Sequence, residues 1–252
     1  MHRFKYKMAY AFPEIEYTIY SKTFLKDVRL EFEFSCQKSD TIVTSDISRF
    51  FSNSFNLNDI TTEDIEKGFF VLSEDEQIKF DFDIEKVSVM MKCPTYKSFD
   101  LALSLVKVVK EYLDVLNVST VSKITISKFD ELEFKNNKNY TILNVMKNVF
   151  HNNLMNSIND KDNLFKGLVR WEKVLSFDGD DATNSNLFIE FGFSLRGTER
   201  QQGFLTLKTQ IWSGKSVEIT EIETVLQDYN RIVDNAFHWC IRPEIINMMK
   251  VS

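Results

Sequence analysis

The chain has 252 residues and a formal charge of −6, with 43% hydrophobic and 27% charged residues and 23 Phe beside 7 Gly and 3 Pro. This length and balance suit one large domain or two small ones with an ample core, and the aromatic content excludes a disordered chain. The acidic balance argues against general nucleic-acid binding, which rests on neutralising phosphates with Lys and Arg, and the scarcity of glycine argues against a Gly-rich cofactor-binding scaffold.

The first strand is marked by period-two alternation: Val28, Leu30, Phe32 and Phe34 alternate with Arg29, Glu31 and Glu33. Ile78, Phe80, Phe82 and Ile84 repeat the pattern, and Val87, Val89 and Met91 continue it after a tight connection at Glu85 and Lys86. One wet and one dry face per strand is the pattern of antiparallel sheets packed on one side. Ser98 then predicts an N-cap. The helix that follows carries one stripe of Phe99, Ala102, Val106, Val109, Leu113 and Leu116. A second stripe beside it holds Leu101, Leu105, Val108, Tyr112 and Val115. A helix apolar over most of its circumference is buried on more than one side. The expected partners are its own sheet and either the second half of the chain or a second subunit. Another strand is predicted over 121–134, and a short helix within the Asn-rich stretch 136–163, where Ile142, Val145, Met146, Val149 and Phe150 have helical spacing.

The second half repeats the plan. Strands are predicted over 168–177, 187–195 and 204–212, with Leu187, Ile189, Phe191, Phe193 and Leu195 on one face. Thr220 and Glu223 read as a capping box. The helix they open has a stripe running from Ile222 through Leu226, Tyr229, Val233 and Phe237 to Cys240. Pro243 ends it and opens a short terminal helix. The fold class is α+β with antiparallel sheets: two sheet-plus-long-helix halves, 1–135 and 164–252, joined by the connection 136–163. The two sheets are either separate or merged into one curved sheet.

Cys36, Cys93 and Cys240 are few, odd in number and far apart, which reads as free thiols in a reducing compartment. Residues 1–12 lack the apolar core of a secretory signal, and no apolar run reaches the length of a membrane span. The expectation is a soluble, cytoplasmic protein. Lys, Asn, Ile and Phe are abundant and Ala is scarce, a coding bias that points to a bacterium or a phage.

The glycines build neither GxGxxG nor GxxxxGK[ST], so Gly214-Lys215-Ser216 reads as a turn. His238, with Asp234 four residues earlier, reads as a local hydrogen bond on a helix. The acidic run Asp178, Asp180 and Asp181 lacks the ligands that complete a Ca²⁺ loop and reads as a solvated hairpin. There is no GxSxG, and no cysteine sits in an electropositive turn. No cofactor and no metal are expected. The strongest binding candidate is the hairpin 196–215. Arg196, Arg200, Lys208 and Lys215 stand there against the single acid Glu199, with Phe204 and Trp212 interleaved. On a sheet, such residues bind single-stranded nucleic acid by charge and stacking; an ordinary hairpin would instead turn its aromatics to the core. The loop 196–203 is the polar connection best placed to carry function.

The stretch Phe24-Leu-Lys-Asp-Val-Arg-Leu-Glu-Phe-Glu-Phe34, the helix from Ser98 leading into Ile124-Thr-Ile-Ser-Lys-Phe-Asp-Glu-Leu-Glu-Phe134, and the tail from Leu226 to Met249 together resemble a sporadically distributed bacterial family of proteins of about this length. The chain departs from the family at 127–131, where Arg-Tyr-Ile-Asn-Arg is usual. The likeness implies a closing helix, a short turn and a terminal helix, and it brings no catalytic residues. Leu25-Lys-Asp-Val28 is also similar to the opening strand of SecB-type chaperones, which implies binding of unfolded or partner proteins. The function expected is a non-enzymatic, self-associating protein-interaction module of a bacterial accessory or defence-type system. The alternatives are nucleic-acid or nucleotide binding through 196–215, a SecB-like chaperone, and an enzyme site assembled from Asp178, Asp180 and His238.

Overall fold

A computed structural model of the chain describes residues 12–13, 15, 23–36, 44–55, 68–73, 75–93, 96, 98–135, 141–155, 170–178, 184–197 and 201–250. The first half holds β1 (Leu25–Glu33), α1 (Thr44–Phe55), β2 (Phe69–Leu72), β3 (Ile78–Phe82), β4 (Lys86–Lys92), α2 (Phe99–Val115), β5 (Thr120–Val121) and β6 (Lys123–Lys135). Then come α3 (Ile142–Val149), α4 (Asn152–Met155), β7 (Arg170–Asp178), β8 (Ser185–Arg196), β9 (Gln202–Ser213), β10 (Val217–Glu218), α5 (Ile222–Cys240) and α6 (Pro243–Lys250). The class is α+β with antiparallel sheets.

The strands of the two halves form one eight-stranded sheet, ordered β2-β3-β4-β1-β6-β9-β8-β7. The seam is β6. It pairs with β1 on one side and with β9 on the other, in unbroken register from Thr125 opposite Trp212 to Lys135 opposite Gln202. The short β5 and β10 pair separately and tie the entrances of β6 and α5 together.

One face of this sheet is the core. Val28, Leu30 and Phe32 stand opposite Met91, Val89 and Val87, and Leu187, Phe191 and Phe193 opposite Ile211, Leu207 and Leu205. Nearly all of these side chains are out of water. Helices cover this face because their apolar stripes need the same burial. Phe51 of α1 packs at 5.0 Å from Phe82 and 4.5 Å from Phe69. Tyr112 of α2 packs at 5.0 Å from Phe82. Phe150, just after α3, packs at 5.3 Å from Phe191. Gly203 on β9 lies under the Phe134 ring, and a Cβ there would stand 2.3 Å from it.

The second stripe of α2 has partners inside the chain: Phe50 and Phe51 of α1 lie 5.7 and 5.8 Å from the Tyr112 ring, and Lys110 meets Glu223 of α5 at 3.2 Å. Leu101, Leu105, Val108 and Val115 of that stripe are half-buried against the core. One expectation needs correction. The Thr220–Glu223 capping box does not form. Ile219–Glu221 is a 3-10 turn, and α5 starts at Ile222 without a side-chain cap. The physical reason is competition: Glu223 is spent on Lys110, and the Ile219 N–H donates to the Ser119 carbonyl at 3.0 Å. Ser98 does sit at the start of α2, but its hydroxyl faces Asp100 at 3.4 Å instead of a backbone N–H.

Candidate functional site

The hairpin residues fall on the face of the sheet opposite the core. Residues alternate across a strand, so Leu205, Leu207 and Ile211 point to the helices, and Phe204, Lys208 and Trp212 point away from them. The aromatics of the hairpin therefore do not face the helix-packed core. Arg196 closes β8 and lies over the Phe204 ring at 4.4 Å, a cation–π contact, with Glu131 at 3.9 Å. Lys215 is exposed in the turn after β9, where the Gly214 N–H donates to the Asn184 carbonyl at 2.7 Å. The Gly214-Lys215-Ser216 triplet is thus a turn that leads into β10 and not directly into a helix. Thr198, Glu199 and Arg200 of the loop 196–203 lie outside the described residues, as do Asp180 and Asp181.

On this open face several cations are matched by carboxylates. Glu31 takes Arg29 at 3.1 Å and Lys86 at 2.9 Å, Glu33 takes Lys123 at 3.1 Å, and Lys79 takes Asp81 at 2.7 Å. Lys208 stands opposite Glu190 on β8. Its charge also acts on Asp27, whose carboxyl burial nevertheless holds above the ordinary range. Apolar side chains rim this ladder. Phe70 and Leu72 on edge strand β2 are 59% and 43% exposed, and Val174 on edge strand β7 is 48% exposed. The Lys79 ammonium lies 4.7 Å from the Phe70 ring.

A second arrangement lies beneath α5. On β6 the inward positions run Ile124, Ile126, Lys128, Asp130 and Leu132, so two charges occupy places the alternation reserves for apolar side chains. Burial by itself pushes the Lys128 ammonium down, but the Asp234 carboxylate at 2.6 Å outweighs it and holds the pKa above its ordinary value. Asn230 Nδ2 donates to the same carboxylate at 3.1 Å. Burial pushes Asp130 from 3.8 up to about 7, with Asp234 and Asp27 adding to the rise and Lys128 opposing it. Asp130 also borders a small, shallow cleft walled by Phe24, Leu132, Phe150, Leu205 and Phe237. His238 Nδ1 donates to the Asp234 carbonyl at 2.8 Å, and burial lowers its pKa. Its partner is thus backbone, because the carboxylate is taken by Lys128. Cys240 is fully buried, which pushes its thiol well up and keeps it protonated. The signal for this cluster was in the sequence, as charges at apolar positions of a strand; their partner on a helix about a hundred residues away was not.

Asp178 ends β7 on the open side and His238 belongs to the helix layer, so the structure does not unite them. Among the described residues, no three His, Cys, Asp or Glu converge as metal ligands, and no helix is long and apolar enough to cross a membrane. No family model matches the chain, and no curated protein matches it.

Proposed function

We propose that this chain is a non-enzymatic protein-binding module of a bacterial accessory system, and that it takes a polypeptide partner on the open face of its sheet. One observation carries the reading. Of the four exposed large hydrophobic side chains among the described residues, Phe70, Leu72 and Val174 belong to the open face; only Met248, on α6, does not. Exposed apolar groups framed by paired charges are the make-up of a protein interface; here Phe70 and Leu72 stand at one edge of that face and Val174 at the other.

Capture of partners at native expression, with mass spectrometry of protein and nucleic acid, tests this. A stoichiometric partner should be retained by Met248→Asp and lost, at least tenfold, by the double variant Phe70→Asp with Leu72→Asp. Equal capture by all forms removes the open face as the site.

The shared face of Phe204, Lys208 and Trp212 favours nucleic-acid binding as a second reading. Against it stands the charge balance: a stacking platform needs unspent cations along its track, and Arg196 and Lys208 face Glu131 and Glu190. Co-purifying RNA or DNA, released by salt, would replace the first reading with this one.

A further inference from the structure

Beneath α5 one buried cation stands beside two buried carboxyls. The Lys128 ammonium pairs with Asp234 of α5 at 2.6 Å, and Asp130 lies two positions further along the same inward side of β6. Residues i and i+2 of a strand share a face, so Asp130 neighbours a cation that Asp234 already holds. Two polar atoms around this pair are unspent. Thr209 stands opposite Lys128 on β9, fully buried, and its Oγ1 has no hydrogen-bond partner among the described residues. Asn230 donates from Nδ2 to Asp234 at 3.1 Å, yet its buried Oδ1 has no partner among them either. Native cores rarely leave such atoms unpaired, and an ammonium carries three N–H donors that can turn to different acceptors. Lys128 thus has more acceptors around it than it uses.

From this we infer that Lys128, Asp130 and Asp234 form a proton-operated latch on the second half of α5. With Asp130 protonated, Lys128 belongs to Asp234 and fastens α5 to β6. When Asp130 ionises, one ammonium faces two buried carboxylates, the cluster carries an uncompensated negative charge, and the grip on α5 loosens. The first half of α5 is held separately, by Glu223 on Lys110 at 3.2 Å, so the loosening is local. The groups facing the latch agree with this. Burial, Asp234 and Asp27 of β1 push Asp130 up to about 7, against Lys128. β9 and the end of α3 present Leu205, Leu207, Val149 and Phe150 to the cleft beside it. Cys93 and Cys240 feel its charge, but burial holds both thiols above their ordinary range, so they stay protonated near neutrality. The Tyr96 ring lies 5.9 Å from Lys128 Nζ. His238, near Lys128 and Lys250, is lowered by burial and is the one other group of the cluster to be separated by experiment.

The test is hydrogen exchange of the full chain, read by peptide at about pH 6 and about pH 8 and corrected for the faster intrinsic exchange at the higher pH. Protection over 230–240, the second half of α5, should fall by about tenfold relative to α2, because opening the latch gives up the Asp130 proton. Asp130→Asn should abolish this selective fall, and His238→Gln should keep it. Asp130→Leu, which is equally unable to ionise, takes the place of Asp130→Asn should that variant fold poorly. Protection over 230–240 that follows α2 at both pH values overturns the inference. So does a selective fall that survives loss of the Asp130 carboxyl, or one that disappears in His238→Gln. None of these outcomes touches the open-face reading, which stands or falls on Phe70 and Leu72.

Discussion

Asp130 is a carboxylic acid whose ionisation the fold strongly alters. Its folded pKa of about 7 lies above the ordinary 3.8, so between about pH 4 and pH 7 the folded chain holds a proton that the unfolded chain has released. Stability from this group is therefore fully present below about pH 4 and is lost as pH rises towards 7, by on the order of 4 kcal/mol. Asp130→Asn should abolish that loss. Urea unfolding of both proteins at pH 5 and pH 8 should show the variant gaining on the wild type at the higher pH; an equal difference at both would refute it. Lys128 and Asp234 behave as a pair. Asp234→Ala leaves a buried ammonium uncompensated and should cost about 3–5 kcal/mol, whereas the joint replacement Lys128→Met with Asp234→Leu should recover most of it. The charged positions on β6 were visible in the alternation, but the pairing was not, because Asp234 reaches Lys128 only through the packing of α5 on β6.

At the scale of elements, strand and helix positions follow from local patterning, and the departures have local causes. The tight entry to α5 displaced the capping box because Glu223 had a better partner in Lys110. The crowded rings of α1, α2 and β3 give α1 its hold. Phe51 is fully buried and makes ring contacts with Phe69, Phe82 and Tyr112. Phe51→Ala should destabilise by about 3–5 kcal/mol, read as a lowered urea midpoint. A change below about 1 kcal/mol would mean that α1 contributes little to the core. The sequence offered no means of placing α1 there, since the rings it meets belong to β2, β3 and α2.

For the whole molecule, the β6–β9 seam decides the architecture. The alternation in β6 and in β9 predicted two good strands and left open whether they belonged to one sheet. Eleven opposed residue pairs now join the halves, and the core runs continuously from Phe80 to Phe193. The division at 1–135 and 164–252 is thus one of chain order, while the sheet crosses it.

The sequence by itself determined the α+β class, the order of the main strands and the two long helices, and the dry faces of β1, β3, β4 and β8, because alternation and helical spacing are local and burial enforces them; it did not show α1 or β2. Tertiary structure alone decided that Phe204, Lys208 and Trp212 share the face of the sheet away from the helices, with Lys208 opposite Glu190. It also decided that α2 packs against α1 and α5, and that Asp130 is buried beside Lys128. Those outcomes depend on which strands become neighbours. Pairing between β6 and β9 is a contact between residues some eighty apart, selected by the burial of the whole core and not by any local pattern.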